Sequence, residues 1–154
     1  MLKQRSMRWL LLAAVASALM VLGLARFGGA EDGASHASPA VPGNGVVAYY
    51  FHTNFRCSTC RKLESLSRRA LESGFGKQLG SGELAFRVVN VEAQGNKHFV
   101  KDFQLVTKSL VLVEYRGGKV VRSKTLPKIW QLVRDRDAFI HYVQNETRAF
   151  LGER

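Results

Sequence analysis

At 154 residues the chain holds one ordinary domain with room for added segments. Its two cysteines sit three positions apart, which excludes a disulfide-rich scaffold and a four-cysteine zinc site. The net charge is +11, but the basic residues are scattered and no nucleic-acid motif accompanies them. The charge therefore reads as a solvated basic surface biased toward an acidic partner protein, with no nucleic acid bound.

Lys3, Arg5 and Arg8 precede Trp9 to Ala25, an apolar run broken only by Ser17 and Gly23. A positive segment followed by a hydrophobic one engages the export machinery. Residues 1–25 are thus expected to be a signal peptide or signal-anchor. Gly23-Leu24-Ala25 and Gly28-Gly29-Ala30 offer cleavage sites, and no cysteine follows to carry a lipid. The length of the run favours a retained single span. Cleaved or retained, the segment places the domain on the periplasmic side of a bacterial inner membrane, with residues 1–8 inside. Residues 26–45 are rich in Gly, Ser and Pro and are expected to form a flexible linker. Residues 46–154 make the folded domain.

Val46 to His52 is apolar, aromatic and β-rich, and predicts a buried strand. A polar turn, Thr53 to Arg56, leads into Cys57-Ser58-Thr59-Cys60. A helix is predicted from about Ser58 to Ser73, with Leu63, Leu66, Ala70 and Leu71 on one face. Gly74, Gly76, Gly80 and Gly82 mark a loop, and Leu84 to Val91 is the second strand. That β-α-β unit implies a parallel pair with a right-handed crossover. Asn96 to Phe103 reads as a short helix with Phe99, Val100 and Phe103 facing inward. Leu110 to Tyr115 is the third strand, Gly117-Gly118 a hairpin turn, and Lys119 to Lys124 an exposed edge strand broken by Pro127. Asp135 or Asp137 caps a last helix that turns Phe139, Ile140, Val143 and Phe150 toward the sheet and ends near Leu151-Gly152.

A cysteine at a helix N-terminus meets unpaired N–H groups and the positive end of the macrodipole, which favour thiolate over thiol. Arg56, Arg61 and Lys62 add positive charge around Cys57 and Cys60. Cys57 is the candidate nucleophile and Cys60 the resolving thiol. His52, at the end of the first strand, is a candidate proton acceptor or metal ligand, with a satisfied strand-end histidine as the simpler reading. His98 and His141 have no convergent partners in the sequence.

Strand, turn, C-x-x-C and helix inside a β-α-β pattern resemble the thioredoxin-like superfamily from about Gly45 to the C-terminus. The order β-α-β-α-β-β-α is similar to the minimal thioredoxin arrangement: an α/β fold with a mixed four-stranded sheet flanked by helices. The resemblance implies thiol–disulfide exchange with a cysteine-containing partner protein and an electron donor, and no cofactor beyond the Cys57–Cys60 disulfide. Two departures stand out. Thioredoxins carry a cis-proline just before the third strand, where this chain has Ser109, so the bond there is expected to be trans. The acid that thioredoxins bury in the first strand aligns near Phe51, and that strand has no Asp or Glu.

A narrower likeness rests on Tyr49-Tyr50-Phe51-His52, Arg56-Cys57, Val89-Asn90-Val91-Glu92, Asn96-Lys97-His98-Phe99 and Thr107-Lys108-Ser109-Leu110-Val111. It is similar to small bacterial thioredoxin-like proteins labelled a nitrophenyl-compound nitroreductase subunit family. No flavin motif supports that activity in this chain. Two further expectations follow from the same residues. One is a soft-metal carrier binding Cu(I) through Cys57, Cys60 and His52. The other is a non-catalytic thioredoxin-fold interaction subunit.

Overall fold

The computed structural model describes residues 43–152. The expected signal segment and nearly all of the expected linker lie outside them. No helix among the described residues is long and apolar enough to cross a membrane.

The elements in order are β1 (Gly45–His52), α1 (Ser58–Gly74), α2 (Gly76–Ser81), β2 (Leu84–Asn90), α3 (His98–Asp102), β3 (Ser109–Arg116), β4 (Lys119–Thr125), α4 (Ile129–Leu132) and α5 (Arg136–Leu151). The strands form one sheet in the order β2-β1-β3-β4. β1 and β2 are parallel, with Val46 opposite Leu84 and His52 opposite Asn90. β1–β3 and β3–β4 are antiparallel. This is the mixed sheet that the sequence predicts.

β1 has helices over both faces, so both sets of its alternating side chains are buried. Val46, Ala48 and Tyr50 enter a core layer with Leu63, Leu71 and Phe139. Val47, Tyr49 and Phe51 enter a second layer with Phe99, Val111 and Tyr115. Aromatic rings dominate the second layer: Phe51 and Phe99 have centroids 5.3 Å apart, and Phe51 and Phe103 5.6 Å. β4 is exposed along its whole length, as an edge strand tolerates. Gly117 and Gly118 both take positive φ (57° and 74°), which a tight hairpin between β3 and β4 requires.

Asp135 is the residue that caps α5, its carboxylate accepting from the Ala138 N–H at 3.0 Å. Gly152, in the left-handed region, ends that helix.

Three details differ from the sequence reading. The glycine-rich segment after α1 is partly helical: Phe75 is buried, and Leu79 packs partly buried behind it, so apolar anchoring overrides the glycines. Val100 is exposed, because α3 is a single short turn that buries Phe99 alone. The segment after Pro127 is not merely a break. Its short helix α4 buries Ile129.

Candidate redox site

β1 runs out of the sheet at His52, and the turn of residues 53–57 delivers the chain to the start of α1. Cys57 is the N-cap of that helix, in extended backbone (φ −67°, ψ 165°). Its Sγ accepts the Cys60 backbone N–H at 3.1 Å. Sulfur here does the work that a serine or aspartate oxygen does at other helix starts, satisfying an N–H with no partner inside the helix. Cys57 and Cys60 are disulfide-bonded, with Cα atoms 5.1 Å apart. Cys57 is partly exposed, whereas Cys60 is 2% exposed. One sulfur can be reached by a visitor; the other can be reached only by its neighbour. The first turn of α1 holds no acid to oppose a thiolate.

The basic residues divide into two groups. Arg56 donates to the Glu64 carboxylate across the start of α1, so its charge is shared with that acid. Arg61 and Lys62 are exposed and have no ion-pair partner among the described residues.

Phe51 does not occupy the place beneath the cysteines. Strand alternation turns it into the second core layer, away from α1. The residue beneath Cys60 is Tyr50, whose hydroxyl donates to the Cys60 carbonyl at 2.7 Å. Burial, with the Glu64 charge second, pushes the Tyr50 phenol well above its ordinary value, so it stays protonated. A neutral hydrogen-bond donor therefore stands beneath Cys60, in a strand that has no Asp or Glu. The sequence analysis missed Tyr50, although the period-two pattern of β1 carries the signal that would place it on the α1 side.

His52 is buried, and its Nδ1 lies 2.8 Å from the Thr53 carbonyl oxygen. A carbonyl only accepts, so Nδ1 carries the hydrogen of this bond. The ring lies on the wall of a cavity of about 490 Å³ between the end of β1, α3 and the loop before β3. The structure does not join His52 to the two sulfurs: among the described residues no three His, Cys, Asp or Glu side chains converge as a metal site would need. His98 has its Nδ1 on the Gly95 carbonyl, and His141 is exposed on α5.

The loop before β3 closes the site from the other side. No cis peptide bond occurs among the described residues, so the bond before Ser109 is trans, as expected. Two side-chain bonds fix this loop in place of a proline. Ser109 Oγ donates to the Thr107 carbonyl at 2.8 Å, and Trp130 Nε1 of α4 donates to the Lys108 carbonyl at 2.9 Å. The Lys108 ammonium lies 5.8 Å from the Phe55 ring centroid, linking the loop to the turn that carries Cys57.

Strand order, register and a cysteine-capped helix define a thioredoxin-like fold with a C-x-x-C pair at disulfide distance. Similar solved structures are thioredoxins. The first two thioredoxin domains of Eps1p from Naumovozyma dairenensis align with a TM-score of 0.43 at 17% identity, covering 69% of this chain and 36% of that one. The chain thus spans about a third of the Eps1p structure. Oxidized thioredoxin O2 from Arabidopsis thaliana aligns at 0.38 and 15%, covering 70% and 85%. Thioredoxin f2 from Chlamydomonas reinhardtii aligns at 0.37 and 17%, covering 62% and 79%. At these values the fold assignment stands on the topology above. No family model matches the chain, and no curated protein does. None of the named neighbours carries the nitroreductase-subunit label, so that narrower likeness has no support.

Proposed function

We propose that this chain is an exported thiol–disulfide oxidoreductase acting on cysteines of a partner protein. The supporting observation is the division of labour between the sulfurs: a partly exposed Cys57 capping a helix with its Sγ, and a buried Cys60 behind it.

In the reducing direction, the Cys57 thiolate attacks one sulfur of a partner disulfide. A mixed disulfide forms and one partner thiolate leaves. The Cys60 thiolate then attacks Cys57 Sγ, the Cys57–Cys60 disulfide forms, and the second partner thiolate leaves. Two electrons pass to the partner, and each released thiolate takes a proton from solvent. A dithiol donor protein returns the electrons by the same two steps in reverse. The helix N-terminus holds negative charge on Cys57 both before attack and when it leaves. The Tyr50 bond to the Cys60 carbonyl keeps the first turn seated while the sulfurs part.

Export rests on Lys3, Arg5, Arg8 and the apolar run that follows, all outside the described residues. It places the reaction on the periplasmic side of the inner membrane, on a single span or after cleavage. Mass spectrometry of the mature N-terminus decides between those two, since a start near Glu31 removes the anchor.

The decisive assay measures the reduction potential of the pair and titrates the reduced protein with Cu(I) against a competing chelator. A potential among the oxidoreductases without tight copper binding supports the proposal. Tight stoichiometric Cu(I) binding supports a metal carrier in its place. Neither result leaves an interaction subunit.

A further inference from the structure

The face of α1 that begins at Cys57 carries more than the sulfur. Cys57, Arg61, Glu64, Ser65 and Arg68 fall at i, i+4, i+7, i+8 and i+11, so they share one side of the helix. The last four line a cleft of about 380 Å³, and Arg56 joins them from the turn before the helix. This cleft has no lining residue in common with the cavity at the end of β1. Its nearest helical residue, Arg61, stands one turn, about 6 Å along the axis, from Cys57.

Among the described residues no apolar side chain lines the cleft, and its wall sets three guanidinium groups against one carboxylate. Arg56 donates through Nη2 to Glu64, which engages that acid, while the Arg56 Nε is buried with no hydrogen-bond partner among the described residues. Arg61 and Arg68 are exposed and have no ion-pair partner among the described residues. The Arg68 guanidinium lies 4.9 Å from the centroid of the Phe86 ring of β2, which braces the charge without neutralising it. Exposed arginines on a helix are ordinary. Here arginines from two segments converge on one concavity, one is braced by a ring, and one keeps a buried donor unmet.

We infer that this cleft binds a small phosphate-class oxyanion, held by Arg56, Arg61 and Arg68 with the Ser65 hydroxyl as a further donor. Guanidinium forks match phosphate oxygens two at a time. Donors arriving from two segments suit a tetrahedral group better than a planar carboxylate. A bound phosphate and the Cys57 thiolate share one helix face, and their repulsion disfavours the reduced form. The anion therefore binds the disulfide form more tightly and, by reciprocity, makes the pair harder to reduce. Binding itself does not depend on the oxidoreductase reading; its use as a regulator of exchange rests on it.

The test titrates the full chain with pyrophosphate by calorimetry, in chloride at fixed ionic strength. Saturable binding is expected, weakened about tenfold in Arg61→Gln/Arg68→Gln through the lost charge-assisted bonds. Should the double variant fail to fold, Arg61→Gln alone, at an exposed and unpaired position, should weaken binding about threefold. No binding, or unchanged binding in the variants, would overturn the site. At about pH 8, where a thiol at a helix N-terminus is ionised, the disulfide form should bind at least about threefold more tightly than the reduced form. Saturating pyrophosphate should then lower the midpoint of the pair by about 14 mV. Equal affinities for the two forms would overturn the coupling and leave the site. Glycerophosphoglycerol, an anionic lipid headgroup without its chains, distinguishes the source: binding as tight as that of pyrophosphate assigns the site to a headgroup, and weaker binding to a free phosphate. Exchange with bis(2-hydroxyethyl) disulfide is measured alongside, and its absence would overturn the oxidoreductase reading while the anion site stands.

Discussion

The Tyr50 hydroxyl donates to the Cys60 carbonyl oxygen across 2.7 Å, joining the central strand to the first turn of the cysteine helix. The bond is buried and its donor does not titrate in the working range, so it holds geometry and moves no proton. Tyr50→Phe should destabilise the protein by about 1 kcal/mol, the net worth of one buried neutral hydrogen bond. It should also leave the pH profile of exchange unchanged in shape, read from stopped-flow rates between pH 6 and 9. A shifted profile would assign Tyr50 a proton-transfer role.

Serine is itself a good helix cap. Cys57→Ser should therefore keep the fold, with a melting temperature within a few degrees of the reduced wild type, while exchange is lost. Cys60→Ser should leave Cys57 able to attack and unable to be released, so a mixed disulfide with substrate accumulates on a non-reducing gel. If both variants match wild type in an insulin reduction assay, the cysteines are not the reacting groups.

The indole of Trp130 holds the loop before β3 through the Lys108 carbonyl at 2.9 Å. Trp130→Phe keeps a ring and loses the donor. The expected result is about 1 kcal/mol of lost stability and faster hydrogen exchange confined to residues 105–109.

Far from the cysteines, Glu114 of β3 is bracketed by Arg122 and Arg116, the latter at 2.8 Å. The Arg122 bond, then the Arg116 bond, hold its carboxyl below the ordinary carboxylate value of 4.5. Because the folded value is the lower one, this group's contribution is fully present above the unfolded value and is lost as pH falls through the folded one. Glu114→Gln should therefore cost up to about 1 kcal/mol at neutral pH, and the difference from wild type should shrink in acid as pH falls through the lowered folded value. Urea unfolding at neutral and at acid pH checks it.

Much of this architecture was legible in the residues. The apolar run from Val46, the Gly117-Gly118 turn and the Leu63–Leu66–Ala70–Leu71 stripe fixed a strand, a hairpin and an amphipathic helix, because each is encoded locally by period or by backbone freedom. Cys57 and Cys60 were legible for the same reason. Less legible was what depends on a neighbour distant in sequence. Arg56 reads as a free cation until Glu64 is seen across the helix start, and Lys108 reads as loop until Trp130 is seen holding it. Tyr50 does not stand out in the sequence, because the hydroxyl's partner is the Cys60 carbonyl ten residues on, which only the packing of α1 on β1 brings within reach.

The account turns on whether the two sulfurs trade electrons with other thiols under the conditions of a working oxidoreductase. Equilibrating the full chain across a series of glutathione buffers, quenching in acid and weighing the thiol and disulfide forms measures this directly. A two-electron transition with a midpoint between about −120 and −270 mV is the predicted result. A pair that remains oxidised below about −300 mV would mark a structural disulfide and contradict it.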